Sequence, residues 1–391
     1  MKQQKNSVQT GLEVFLEQGL PQIDGQPVGL ITNYTGVNRK LRSSAELLHA
    51  SKHVRLRALF GPEHGILGNA QDALPIEGSV DQRTGLPVYS LYGETEKPTR
   101  ESLKGLSALI FDIQDVGVRY YTYPSTMAYA QEAATEAGLA FVVLDRPNPI
   151  TGTHIEGNML DPRFASFVGV HPLPIRHGMT VGELARLFAA ERGYPEPIVV
   201  PMRGWKRSWW FDETDLPWVL PSPNLPTLDT AVLYPGTCLI EGTNLSEGRG
   251  TTRPFELLGA PWIDPFQLAE ALEQYELPGL AFRPAYFTPT YPKHQGVLCG
   301  GVQVHIIERE EVQAVELGLH LLATLRRLYP DRLEWRGWPD GSYALDRLLG
   351  SDQPRLALEA GASVSEIMAG WDEQCASFAE RRRPYLLYQD N

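Results

Sequence analysis

The stretch Ala108–Leu144, ALIFDIQDVGVRYYTYPSTMAYAQEAATEAGLAFVVL, decides the fold. It opens on a short apolar run, Ala108–Ile113, and closes on another, Ala140–Leu144. Between them Ser125–Gly138 is rich in alanine, the best helix former, and Gly138 suits a helix C-terminus. Strand, helix and strand in so few residues make one β-α-β unit. Three further runs have the same character: Pro27–Asn33, Val54–Phe60 and Pro87–Tyr92. They are short and β-rich, as parallel strands buried on both faces are. Ser43–Glu46 and Thr180–Glu183 fit the capping box, in which side chains satisfy the first free amides of a helix. Strands alternating with helices predict an α/β fold built on a Rossmann-like, mostly parallel sheet.

Further along, Leu216–Gly236 holds Pro217, Pro221, Pro223, Pro226 and Pro235. Proline lacks an amide donor and fixes its own backbone, so this stretch predicts neither regular helix nor central strand. It reads as the crossover between two domains. The part beyond it has its own pattern. Glu241–Arg253 is a loop dense in glycine and charge, Gly296–Leu298 and Val302–Ile307 are strand-like, and a long helix lies near Glu310–Tyr329. A capping box follows at Ser363–Glu366. A chain of 391 residues is long enough for two domains. The expected division is 1–229, Rossmann-like, and 230–391, a smaller α+β domain.

Composition narrows the function. Hydrophobic residues at 42% and charged ones at 21% are those of an ordinary globular protein. The net charge of −12 speaks against a nucleic-acid partner, because phosphate backbones need a basic face. A local basic pocket for one anionic group is still compatible with it. Cys238, Cys299 and Cys375 are odd in number and scattered, so buried free thiols are expected rather than disulfides or a zinc site. No signal peptide follows Met1, and no window approaches the roughly 20 apolar residues of a membrane span. A cytoplasmic protein without a membrane partner is the expectation. The histidines lack metal-ligand spacing, and there is no nucleophile elbow, Walker loop or dinucleotide fingerprint. Neither a metal nor a cofactor is expected.

Polar residues concentrate just after the predicted strands. Asn33 follows the first, Gly61-Pro62-Glu63-His64-Gly65 the second, Gln114-Asp115-Val116-Gly117 the fourth and Asp145-Arg146-Pro147-Asn148-Pro149 the fifth. Open α/β sheets bind ligands at that edge, so these loops are expected to converge on one crevice. A glutamate shielded from water there suits a general acid, though the same residues also suit a tight turn with a solvated carboxylate. Asp112, Asp115, Arg119, Tyr121 and Tyr123 surround another strand end. Acids and arginine can hydrogen-bond a sugar while aromatic rings stack on it; an Asp–Arg brace over core tyrosines is the alternative. In the loop Glu241–Arg253, two glutamates beside Arg249 and Arg253 could hold a carboxylate-bearing ligand. Lys293-His294-Gln295-Gly296 offers a cation and an imidazole, or simply a surface turn. Trp205, Trp209 and Trp210 are better read as packed anchors than as a sugar platform.

These segments together resemble one family. Gly29–Asn33, Leu59–Gly65, Phe111–Gly117, Tyr121–Tyr123, Leu144–Pro149, Leu220–Asn224, Glu241–Asn244, Ser246–Thr252, Lys293–Gly296 and Tyr385–Tyr388 are similar, in order, to motifs of the NamZ-type exo-β-N-acetylmuramidases, glycoside hydrolase family 171. The resemblance implies a Rossmann-like catalytic domain, a smaller C-terminal domain and an active-site cleft between them. It implies hydrolysis of the β-1,4 bond that releases N-acetylmuramic acid (MurNAc) from the non-reducing end of peptidoglycan fragments, a disaccharide or a muropeptide. It places the catalytic glutamate at Glu63. Glycosidases of this kind generally need a second carboxylate, about 5–5.5 Å away if retaining and roughly 6.5–9.5 Å if inverting. Asp115 and then Glu247 are the candidates, with the substrate's own N-acetyl group as a third option. His64 would orient Glu63 or touch the sugar. Arg249, and after it Arg119, would clamp the lactyl carboxylate of muramic acid. Tyr121 and Tyr123 would shape the pocket, with Asn33, Asp145, Asn148, Glu241, Asn244 and His294 as further substrate contacts. The rival readings are a sugar-binding protein without catalysis and another hydrolase of cell-wall fragments.

Overall fold

Parallel strands need crossovers between them, and the alternating pattern supplies these. In the computed structural model, which describes residues 7–66, 79–93 and 95–389, seven strands form the larger sheet. They are β1 (Gln26–Thr32), β2 (Val54–Gly61), β3 (Ser79–Val80), β4 (Pro87–Ser90), β5 (Ala108–Asp112), β6 (Ala140–Leu144) and β7 (Ile198–Val200). Their order is β3-β4-β2-β1-β5-β6-β7, and all pair in parallel except the edge strand β3, which is antiparallel to β4. The five apolar runs of the sequence are β1, β2, β4, β5 and β6. β3 and β7 are too short to show a pattern. Leu67 and Gly68 of the glutamate loop, and Met1–Asn6, lie outside the described residues.

At β1, β5 and β6 both faces of the sheet are covered, which explains their near-continuous apolar runs; β2 exposes Arg55 and Arg57, and β4 is half-exposed. Along β5 and β6 the side chains alternate. Ala108, Ile110, Val142 and Leu144 join one buried cluster with Leu12, Phe15 and Leu48 of the helices Gly11–Gln18 and Ser44–His49. Leu109, Phe111, Phe141 and Val143 join the other with Met127, Leu184 and Phe188 of the helices Thr122–Glu136 and Val181–Arg192. Each such side chain contributes about 1.5–3 kcal/mol by its burial. The capping boxes at Thr180 and Ser363 are reciprocal. At Ser43 only half the box forms: its hydroxyl accepts from the Glu46 amide, while the Glu46 carboxylate turns to Arg83 at 2.6 Å.

The smaller sheet is antiparallel, in the order β8 (Leu257–Ala260), β10 (Cys299–Ile306) and β9 (Leu280–Phe287). Two expectations need correction here. Gly296–Leu298 is not a strand: His294 and Gly296 have φ of 53° and 72°, and the chain turns there before entering β10. The proline-rich stretch does contain a helix, Leu228–Thr237, with Pro235 inside it. Pro235 falls in its last turn, so little of the helix follows the break it makes in the hydrogen-bond ladder, and Thr227 caps its start by accepting from the Thr230 amide. This helix lies hard against the helix Ala314–Leu328. A Cβ on Gly236 would sit 1.6 Å from the Ala314 carbonyl oxygen, so only glycine permits the approach. The last helix, Trp371–Arg382, returns the chain to the larger sheet, where the Tyr388 hydroxyl donates to Asp145. Among the described residues no helix is long and apolar enough to cross a membrane.

Candidate active site

β2 ends at Gly61, and a tight turn follows at once. Gly65 N–H donates to the Pro62 carbonyl, and His64 and Gly65 both take left-handed φ, 69° and 71°. A histidine rarely adopts that conformation without surrounding support, and such positions cluster at functional sites. The turn presents Glu63 and His64 to a cleft of about 630 Å³. Glu63 is half-buried, and its Oε2 accepts from Thr122 Oγ1 at 2.7 Å. Thr122 opens the helix Thr122–Glu136, so the carboxyl group of Glu63 is held at the amino end of that helix.

The floor of the cleft is aromatic. Tyr120 and Tyr121 each pack edge-to-face on Tyr234, with ring centroids 5.7 and 5.9 Å apart, and Tyr234 packs likewise on Phe255 at 4.9 Å. The cleft is also lined by two acids and two cations, Glu241, Glu247, Arg249 and Lys293. Arg249 Nη1 meets Glu241 at 2.6 Å and Glu247 at 2.8 Å, and Lys293 Nζ meets Glu247 at 3.0 Å. The Arg249 guanidinium also lies over the Phe255 ring at 4.9 Å. The two acids diverge. Burial opposes ionisation of Glu247, but Lys293 and Arg249 overcome it and hold the carboxyl at about 2. Burial dominates at Glu241, and with the neighbouring Glu247 charge it raises that carboxyl above the usual range against the pull of Arg249. Groups driven apart in this way can divide acid and base roles between them.

Of the residues singled out from sequence, Glu63, His64, Tyr121, Glu241, Glu247 and Arg249 meet at this cleft. The others hold the scaffold, which corrects the expectation that every strand-end loop reaches one crevice. Buried backbone groups must find partners, and short polar side chains at strand ends supply them. Asn33 accepts from Thr35 N–H and donates to Tyr123 Oη at 2.8 Å; Tyr123 in turn donates to the Pro221 carbonyl. Asp145 accepts from Thr180, Gly182 N–H and Tyr388, with burial pushing its carboxyl up to about 6. Asn148 bridges the Met179 carbonyl and the Ile150 amide. Asn244 links to the backbone of Arg332 and Glu334, and His294 Nε2 lies 2.8 Å from the Asn244 carbonyl. Arg119 is buried and donates to the carbonyls of Asn158, Leu173 and Leu348, so it clamps no ligand.

Asp115, preferred as second carboxylate, is also off the cleft. It is buried, and its Oδ2 accepts from Gly117 N–H at 2.8 Å and lies 3.8 Å from His177 Nε2. Burial pushes its carboxyl up to about 7 despite the amides of Gly117 and Val116. Burial, reinforced by Arg382 and Arg119, lowers His177 to about 3. Two neutral groups therefore face each other near pH 5. Trp205 and Trp210 are packed anchors, as expected; the Trp205 ring meets Tyr388 edge-on at 5.0 Å.

Sequence reasoning passed over Thr122 and gave Lys293 little weight. It missed Arg336, Trp338 and Arg347, which also line the cleft. The signal was there: Trp335-Arg336-Gly337-Trp338-Pro339-Asp340-Gly341-Ser342 combines turn residues with aromatic and cationic ones.

Comparison with known proteins matches this architecture throughout its length. Residues 28–229 match the N-terminal and 232–388 the C-terminal part of the family described as exo-beta-N-acetylmuramidase NamZ. The peptidoglycan beta-N-acetylmuramidase NamZ of Bacillus subtilis (strain 168) is 51% identical over 385 residues, 98% of this chain and 92% of that protein. A crystal structure of a DUF1343 family protein from Bacteroides fragilis NCTC 9343 superposes with a TM-score of 0.90 at 37% identity, covering 98% of this chain and all of that one. A second from the same organism does so with a TM-score of 0.78 at 33% identity and the same coverage. With both halves matched in order and half of the residues shared with a curated relative, the chain belongs to the NamZ exo-β-N-acetylmuramidase family.

Proposed function

We propose that this chain is an exo-acting β-N-acetylmuramidase that hydrolyses the β-1,4 bond releasing MurNAc from the non-reducing end of peptidoglycan fragments. The observation that carries the reading is one cleft lined by both Glu63 and Glu247, the latter paired with Arg249 and Lys293, in a chain 51% identical to a peptidoglycan muramidase. In the proposed mechanism Glu63 gives a proton to the leaving glycosidic oxygen, with Thr122 holding its carboxyl group in place. Glu247 is the second carboxylate, and its negative charge faces the positive charge that develops on the sugar ring. His64 contacts the sugar beside Glu63, and Tyr121 shapes the aromatic floor.

The division of the chain at 229 and 230 is part of the proposal, supported by family matches that end at 229 and resume at 232. The cytoplasm is proposed as the compartment, with imported muropeptides as substrate; the three cysteines are free, as suits a reducing environment. Recovery of the protein in the wall fraction of lysed cells would refute that location. The activity is tested by incubating the purified protein and its Glu63→Gln variant with a chromogenic β-N-acetylmuraminide and with the β-N-acetylglucosaminide analogue. Release from the muraminide alone, lost in the variant, is expected. A protein that cleaves neither compound, nor a MurNAc–GlcNAc disaccharide, is not a muramidase.

A further inference from the structure

A muraminide differs from a glucosaminide by its lactyl arm, which carries a carboxylate or, in a muropeptide, an acidic peptide stem. A cation is needed to read either one. Four described cations line the cleft: Arg249, Lys293, Arg336 and Arg347. Arg249 and Lys293 already face Glu241 and Glu247, two cations against two carboxyl groups. A substrate carboxylate placed there would meet the charge of Glu247, so Arg249 is a poor clamp.

Arg336 and Arg347 stand elsewhere in the C-terminal part, Arg336 on a small hairpin and Arg347 on the short helix Ala344–Leu349 that follows it. Thr243 pairs with Trp335 and Gly337 with Tyr343. Arg336 N–H donates to the Gly242 carbonyl, which ties the hairpin to the residue after Glu241. Within it, Trp338 N–H donates to Ser342 and Gly341 N–H to Trp338. The hairpin is thus anchored at its base and closed at its tip. Its Trp338 ring lies under the Arg347 guanidinium at 4.0 Å, and that of Arg336 is 5.9 Å from the same ring. Arg347 meets Asp340 at 3.3 Å and Ser342 at 2.9 Å, both through Nη2. The Asp340 side chain is 61% exposed, so this pair is screened and readily shared. No carboxylate among the described residues pairs with Arg336. Two guanidinium groups and an indole face, held by an anchored hairpin and the helix that follows it and lining the cleft, form a carboxylate-binding platform.

We infer that Arg336 and Arg347, with the Trp338 ring they share, bind the carboxylate on the lactyl arm of the substrate and so set the preference for muramic acid. The inference takes the identity of the substrate from the proposed function, but it is tested by binding, without hydrolysis. The probes are MurNAc, its lactyl methyl ester, N-acetylglucosamine and muramyl dipeptide, titrated calorimetrically into the wild type and into R336Q/R347Q. MurNAc is expected to bind the wild type about ten- to a hundredfold more tightly than the ester, and the double variant is expected to lose that margin. R336K/R347K should regain part of it, and a thermal melt matched to wild type shows that the hairpin is intact. If the margin falls only for muramyl dipeptide, the arginines read the stem carboxylate instead of the free lactyl group. A double variant that still prefers MurNAc to its ester, or a loss of affinity equal for all four probes, overturns the inference. A protein that shows the margin but cleaves no muraminide retains the binding site and loses the hydrolase reading.

Discussion

Glu63 and Asp115 occupy the same kind of place. Each follows a central parallel strand, β2 or β5, within three residues, and each precedes a glycine of positive φ, Gly65 at 71° and Gly117 at 81°. Yet Glu63 is half-buried, lines the cleft and is held by one hydroxyl, whereas Asp115 is inside the protein, folded onto its own turn and facing His177. Local sequence presents a carboxylate at the sheet edge; the elements packed over that edge decide whether it meets solvent or a neighbour. The sharpest way to break the comparison is a pair of variants. Glu63→Gln should lower kcat by about 10²–10⁴-fold, the usual contribution of a general acid, while leaving stability within about 0.5 kcal/mol of wild type. Asp115→Asn should leave kcat within a few-fold. If steady-state rates show both substitutions equally damaging, the distinction between the two acids is wrong.

That distinction marks how far the sequence could be read. Of the five runs that became parallel strands, β1, β5 and β6 are buried on both faces over most of their length, which leaves an uninterrupted apolar pattern, whereas β2, with Arg55 and Arg57 exposed, and the half-exposed β4 were legible from their β-rich composition. The Glu63 turn was legible through its glycines. What was not legible is which polar residue at a strand end serves the ligand and which serves the backbone. Asn33, Asp145 and Asn148 have the residue types of a binding site, but each is committed to backbone amides or carbonyls, as far as 37 residues away in the chain. Those partnerships are tertiary and leave no spacing in the sequence. Arg119 is the clearest case: an arginine beside tyrosines, yet it donates to three backbone carbonyls, one of them at Leu348 in the C-terminal part.

Glu247, which lines the same cleft as Glu63, sharpens the comparison. It is as buried as Asp115, but Arg249 and Lys293 keep it ionised where Asp115 is driven neutral. Glu247→Ala should therefore destabilise the protein by about 3–5 kcal/mol, because two cations lose their shared partner in a buried place. Urea unfolding of the variant measures this. A midpoint unchanged from wild type would mean that water already screens the pair.

The Asp115–His177 pair gives a smaller effect with a definite sign. Asp115 is raised from 3.8 to about 7, so alone it makes the folded state bind the extra proton, and stability would fall as pH rises between those values. His177 is lowered from 6.5 to about 3, so alone it makes the unfolded state bind the extra proton, and stability would rise between those values. Together, near pH 5, each state holds one proton on the pair and the two slopes cancel. His177→Gln should uncover the falling slope, about 1 kcal/mol per pH unit, and Asp115→Asn should uncover a rising one of similar size. Unfolding free energies measured from pH 4 to 6.5 decide it: parallel profiles for the two variants would show that the groups do not titrate as a pair.

The smallest effect concerns what holds Glu63 in place. Thr122 Oγ1 is the hydroxyl that fixes its carboxylate, from the first residue of a helix most of whose residues are buried. Thr122→Val keeps the β-branched shape and removes that donor. A carboxyl group free to rotate reaches the glycosidic oxygen in a smaller fraction of encounters, so kcat should fall about tenfold, the equivalent of one hydrogen bond to a charged group. KM should hardly move, because the sugar still meets the same floor and the same arginines. Thr122→Ser, which restores the hydroxyl, should recover most of the rate. A Ser variant as slow as the Val variant would trace the loss to the methyl group and its packing, and Glu63 would then owe its position to the turn at His64 and Gly65 alone.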